Sequence, residues 1–193
     1  MFVTGLVLAA GSSSRLGRPK QLLPYRGTTL LDATLSVARE CGFDQLLVTV
    51  GGASETVRSI VDFSGTEVVE NVAFTTGCSS SISAAIAAVD DRTDGLVLML
   101  GDQPGVAPET ARRLIDGAAQ SPLGVCRYSD GRGHPFWFHR SVFTDLLTLH
   151  GDKAVWKLLE SGRYAVADVS IDGPVPLDVD TWDDYEALLA QQP

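Results

Sequence analysis

Cysteine is scarce in this sequence. Cys41, Cys78 and Cys126 stand far apart, with no CxxC pair and no Cys/His spacing. That excludes a zinc ribbon or a disulfide framework and suits a reducing cytoplasm. His139 and His150 sit in no motif and read as surface residues. No apolar run approaches the roughly 20 residues a membrane-spanning helix needs, so no membrane partner is expected. The opening "MFVTGLVLAAG" has no basic region ahead of its apolar run, so it reads as a core strand rather than as its rival, a signal peptide. Positive charge is also in short supply, 15 Lys and Arg against 24 Asp and Glu for a net −9, which argues against a nucleic-acid partner. Internal repeats and low-complexity segments are absent.

One local absence points the other way. Residues 1–31 hold Arg15, Arg18, Lys20 and Arg26 and no acid before Asp32, where an even spread of the 24 acids would place about four. A basic loop on an acidic protein suits a small anionic ligand, although a merely solvated loop accounts for the charge equally well.

What is present is globular: 45% hydrophobic and 20% charged residues over 193 positions, enough for one domain with a sizeable core. The β-branched and apolar run 3–9 reads as a buried strand. Leu30, Leu31, Thr34, Leu35, Ala38 and Cys41 share one helical face, with Gly42 where a left-handed cap belongs. Strands follow at 45–50, 66–71 and 95–100, and helices at 54–62, from the serines 79–81 through Val89, and from Pro108. Beyond 122, "LGVCRY", "GHPFWF" and "YAVADVSI" read as strands, and "VFTDLLTL" and "KAVWKLLES" as helices. Thr181 with Asp184 opens a terminal helix in capping-box style.

Alternating strands and helices predict an α/β fold: three layers, Rossmann-like, around a mostly parallel sheet. Ligands on such sheets bind beyond the carboxyl ends of strands, where the strand order reverses. The first strand empties into "GSSSRLGRPK" and the 95–100 strand into Gly101–Asp102, so the two should face each other across one cleft. The loop is neither a Walker motif, since five residues separate Gly11 from Gly17, nor a GxGxxG. Its small residues still let backbone N–H groups approach phosphate oxygens, with Arg15 and Lys20 to neutralise charge.

The stretch "LVLAAGSSSRLGRPKQLLPYRGTTLL" resembles the amino-terminal signature of the MobA-like nucleotidyltransferases, especially the molybdenum cofactor cytidylyltransferases. "GCSSSISAAI", "GDQP", "GRGHPFWF", "GDKAVWKLL" and "DVDTWDDY" follow in that family's order, so the likeness spans nearly the whole chain. It implies Mg²⁺-dependent transfer of a nucleoside monophosphate to a phosphorylated acceptor with release of pyrophosphate. CTP is the implied donor and a molybdopterin-type molecule the acceptor, with a molybdoenzyme of the hydroxylase class as a downstream partner. GTP or ATP, another acceptor, or a non-catalytic cofactor carrier or maturation chaperone are the other readings.

By the same resemblance, residues 1–120 form the nucleotide-binding part and 121–193 the acceptor-binding part. Leu8, Ala9, Ala10, Gly11, Ser12, Arg15, Lys20, Asn71, Ser79, Ser80 and Asp102 are expected at the nucleotide. Arg15, Lys20 and Asp102 are the catalytic set. Asp102 with Asp180 or Asp178 is expected to hold the metal, and His134, Asp152 and Lys153 to meet the acceptor. Bland roles stay open: Ser79–Ser81 as a helix cap, Asn71 as a turn residue, His134 as structural. Trp156 stands where the family has an Arg and Ala154 where it has a Gly. Either Lys153 or Lys157 takes over a phosphate contact, or the acceptor differs.

Overall fold

In the computed structural model, which describes residues 1–151 and 153–191, the chain alternates strands and helices. The elements are β1 (Val3–Ala9), β2 (Pro24–Tyr25), β3 (Thr28–Thr29), α1 (Leu30–Glu40), β4 (Gln45–Val50), α2 (Ser54–Ile60), β5 (Glu67–Glu70) and α3 (Cys78–Ile86). There follow β6 (Gly95–Leu100), α4 (Pro108–Ala118), β7 (Leu123–Tyr128), β8 (Gly131–His139), α5 (Phe143–Leu146), α6 (Ala154–Glu160), β9 (Val166–Ser170) and α7 (Trp182–Ala190).

Seven strands form one sheet in the order β5-β4-β1-β6-β8-β7-β9, while β2 and β3 make a separate ribbon. β1 pairs parallel with both β4 and β6, and β7 pairs parallel with β9. β8 alone runs against its neighbours β6 and β7. The reason is local. Only Ser129 and Asp130 separate β7 from β8, and a two-residue connection joins antiparallel strands only. The fold is therefore the expected three-layer α/β arrangement with a mostly parallel sheet.

Side-chain alternation along the strands sorts the core into two layers. On one face Val7, Val97, Met99 and Trp137 meet Leu31, Leu35, Ala111 and Leu114 from α1 and α4. On the other, Leu6, Leu98, Phe136 and Phe138 meet Ile82 and Ala85 of α3, Leu146 of α5 and Leu158 of α6. Phe136, Trp137 and Phe138 are fully buried, each worth roughly 1.5–3 kcal/mol. A third cluster of Leu16, Leu23, Leu30, Val179 and Leu188 ties the loop after β1 to α7 and the segment before it.

Several boundaries move. Gly42 is left-handed at φ 79°, and Thr181 and Asp184 form the full capping box, as expected. The helix expected over "VFTDLLTL" is only the short α5, preceded by a 3₁₀ turn at Arg140–Val142. The serines 79–81 do not cap α3. Gly77 occupies that position, and the serines lie inside the helix. Among the described residues no helix is long and apolar enough to cross a membrane.

Candidate active site

The strand order reverses between β1 and β6: the chain moves outward from β1 through β4 to β5, then returns to place β6 on the other side. Beyond the carboxyl ends of these two strands lies a cleft of about 750 Å³. Its walls include Leu8–Arg15, Lys20 and Gln21 on one side and Leu100, Gly101 and Asp102 on another. His134 and Phe136 from β8 and Trp156 from α6 close the far end. A close approach helps seat the loop. A Cβ on Gly51 would lie 2.5 Å from the Ala10 carbonyl oxygen, so only glycine lets β4 and β1 end side by side here.

The loop is tied to itself. Ser13 is left-handed at φ 52°, an uncommon state for a residue with a side chain, and its Oγ accepts a hydrogen bond from the Lys20 N–H at 2.9 Å. The following 3₁₀ turn, Lys20–Leu22, then aims Lys20 across the cleft. Its Nζ donates to Asp102 Oδ2, to Asp180 Oδ1 at 2.8 Å and to the Val179 carbonyl at 2.9 Å. Arg15 adds a looser, exposed contact to Asp180 at 3.3 Å.

Lys20 and Asp102 are only 15% and 13% exposed. Burial pulls the ammonium of Lys20 down, but the charge and hydrogen bond of Asp102, joined by Asp180, outweigh it and leave its pKa above the ordinary value. Burial pushes Asp102 up, an effect that Asp178 adds to and Lys20 opposes. The hydrogen bond from Lys20 holds Asp180 below the usual carboxylate range.

These contacts bear on the expected metal. Asp102, Asp180 and the Val179 carbonyl already surround one cation, the ammonium of Lys20, with oxygen alone. Hard oxygen donors of this kind fit Mg²⁺ or Mn²⁺. Among the described residues no three His, Cys, Asp or Glu side chains converge on a point. The carboxylates available are thus Asp102 and Asp180, with Asp178 also on the cleft wall.

The remaining sequence-predicted residues divide. Leu8, Ala9, Ala10, Gly11, Ser12, Arg15, His134 and Lys153 line the cleft. Asn71, Ser79 and Ser80 do not. Asn71 is buried, donates to Ser80 Oγ and Ser81 Oγ at 2.9 Å each, and accepts from the Ala73 N–H. It braces the loop before α3 from behind. Ser79 is buried, and Ser80 spends its hydroxyl on the Gly77 and Ala73 carbonyls. Asp152 lies outside the described residues.

Burial depresses the pKa of His134 to about 3, so its imidazole is neutral at physiological pH. Its ring sits 4.0 Å from that of Phe136, and Trp156 stands edge-on to Phe136 at 5.0 Å. Among the described residues this end of the cleft is aromatic and uncharged apart from Lys153.

Two contributors escaped the sequence. Phe74 to Thr76 form a wall of the cleft without a motif to mark them, and Gly77 and Cys78, the start of "GCSSSISAAI", continue it. Gln21 is buried under the loop and donates to the carbonyls of Ala9 and Gly11. Its signal was a polar residue set beside Lys20 in an otherwise apolar "QLL".

Comparison with known proteins agrees with this geometry. Rv0371c from Mycobacterium tuberculosis H37Rv is 59% identical, with a TM-score of 0.94 and 99% of each chain covered. Its complex with manganese superposes at 0.91, with 56% identity and full coverage of both chains. Nicotine blue oxidoreductase of Paenarthrobacter nicotinovorans is 33% identical over 141 residues, 69% of each chain. The molybdenum cofactor cytidylyltransferase of Escherichia coli K12 is 26% identical over 93% of this chain and 92% of its own. Residues 5–168 match the MobA-like NTP transferase domain, and with most of its length inside that match this chain belongs to that nucleotidyltransferase family.

Proposed function

We propose that this nucleotidyltransferase moves CMP from CTP onto a phosphorylated acceptor of the molybdopterin type, releasing pyrophosphate, with Mg²⁺ as its metal and the cytoplasm as its compartment. The observation that carries the reading is the meeting of Lys20, Asp102 and Asp180 at the mouth of the β1 loop. Residues 1–120 supply the nucleotide side and 121–193 the acceptor side, with Asp180 reaching back from the second part to the first.

The chemistry explains the residue types. An acceptor phosphate oxygen forms a bond to the α-phosphorus while the bond to the β-phosphate oxygen breaks, so two anions must be brought together. Positioning and charge neutralisation are most of that task. A bound divalent ion supplies charge neutralisation at the α-phosphate. Asp102 and Asp180 would hold it. Arg15 and Lys20 screen the triphosphate and the departing pyrophosphate, and the Leu8–Ser12 turn offers its backbone to the nucleotide. An attacking phosphate needs no strong base, which accords with the neutral His134 serving as a contact rather than as a proton acceptor.

CTP rests on the Leu-Ala-Ala-Gly turn and on the cytidylyltransferase relative. A second reading, the same transfer to a different acceptor, draws on one observation: Trp156 makes an aromatic wall where the family carries an Arg. Pyrophosphate release measured with Mg²⁺, the four ribonucleoside triphosphates and candidate acceptors tests both. Release with CTP and a molybdopterin acceptor supports the first, release with another acceptor the second. No release from folded protein under any pairing rejects the transferase reading and favours a cofactor carrier.

A further inference from the structure

The nucleotide side of the cleft contains a residue that no motif assigns. Gln21 is 5% exposed and lies beneath the loop that follows β1. Its Nε2 donates to the Ala9 carbonyl at 2.6 Å and to the Gly11 carbonyl at 3.2 Å. One amide thus pulls two alternate carbonyls inward. In a planar trans peptide the carbonyl and the following N–H point in opposite directions. The N–H groups of Ala10 and Ser12 are thereby turned away from Gln21.

Those two N–H groups, and that of Gly11 between them, donate to no backbone oxygen among the described residues. Successive unpaired N–H groups in a glycine-containing turn form an anion-binding concavity. A second observation separates this from ordinary packing. Gln21 Oε1 is buried and has no hydrogen-bond partner among the described residues. An orphaned buried oxygen is a cost to the fold. The side chain thus satisfies two main-chain carbonyls while leaving its own oxygen unpaired beneath the loop.

We propose that Gln21 is a positioning residue for the triphosphate: by clamping the Ala9 and Gly11 carbonyls it holds the Ala10 and Ser12 N–H groups ready for phosphate oxygens. The 3₁₀ turn Lys20–Leu22 then serves the anion twice, with the charge of Lys20 and with the backbone that Gln21 sets. The proposal rests on the transferase reading only in taking the cleft to bind a polyphosphate.

The test uses inorganic tripolyphosphate, which carries neither base nor acceptor, in calorimetric titrations of the full chain. Gln21→Met removes both hydrogen bonds and the orphan oxygen while keeping length. It should weaken tripolyphosphate binding about tenfold or more, the equivalent of 1.4 kcal/mol. The KM for the nucleotide should rise in step while kcat changes little, with at most a modest drop in melting temperature as two carbonyls lose their donor. A purely structural residue would give lower melting with unchanged affinity. If Gln21→Met does not fold, Gln21→Glu, of the same shape but with acceptors facing the two carbonyls, should show the same loss. Unchanged affinity in either folded variant overturns the proposal. Wild-type protein that binds no tripolyphosphate overturns it together with the cleft assignment, whereas binding without turnover would sink only the transferase reading.

Discussion

Lys20 and Asp102, 82 residues apart in sequence, form an ion pair across the mouth of the cleft, and Asp180 shares the same ammonium. Lys20 therefore stands where the two proposed metal ligands meet. A triphosphate gives that ammonium another partner, so nucleotide and metal should favour each other's binding.

The first prediction follows directly. Lys20→Met should bind Mn²⁺ about tenfold more tightly than wild type in the absence of nucleotide, since the cation between the carboxylates is gone. Loss of free-Mn²⁺ resonance signal during titration measures this. Equal or weaker binding would mean that Asp102 and Asp180 do not form the site.

Asp102→Asn should lower turnover by on the order of 10²–10³, the usual cost of one preorganised charge. Both partners are largely buried, so loss of the lysine should also touch stability. Lys20→Met leaves a buried carboxylate without its main partner and should cost about 1–3 kcal/mol in urea unfolding. The two effects separate, because Asp102→Asn keeps the shape and one acceptor for the ammonium.

His134 gives the protein an acid limb. Its folded pKa, lowered to about 3 by burial, lies below the ordinary histidine value of 6.5. Between those values the unfolded chain binds the proton and the folded chain does not. Stability is therefore lost as pH falls from 6.5 toward 3, at no more than about 1.4 kcal/mol per unit. The ring is half-buried at a cleft wall, which makes that slope a ceiling. His134→Gln should flatten the limb in denaturant titrations at stepped pH, and an unchanged slope would assign the acid sensitivity elsewhere.

Two glycines, Gly95 at the start of β6 and Gly11 in the cleft loop, should differ sharply. A Cβ on Gly95 would lie 2.0 Å from the buried Trp137 ring, and Gly95→Ala should destabilise by about 1–3 kcal/mol. Gly11 meets nothing nearer than the Lys20 side chain at 3.8 Å, so Gly11→Ala should fold normally. Thermal melts of the two variants make the comparison.

Much of this was legible in the chain. The continuous apolar run "GLVLML" read as a strand covered on both faces and is one, and the loop after β1 stood out by its charge and small residues. What stayed hidden depends on distance in sequence. Asn71 and Ser80 were expected at the nucleotide by resemblance alone, with turn and cap roles open, and their side chains bond one another behind the wall. Gln21 showed only as a polar residue in an apolar run, because its partners are main-chain carbonyls, which leave no trace in residue identity. The reach of α5 was overread, since apolar periodicity does not register where a helix is interrupted.

The single reversed strand, β8, carries a consequence for how such an enzyme can diversify. It brings the start of its own run, His134 to Phe136, beside the exit of β6, so residues from the second half of the chain border the cleft without belonging to the loop after β1. Under the proposed function, substitutions on that strand and on α6 would retune which partner receives the nucleotide while the loop after β1 stays as it is. Descendants of one ancestor could in this way acquire new recipients by editing a single wall.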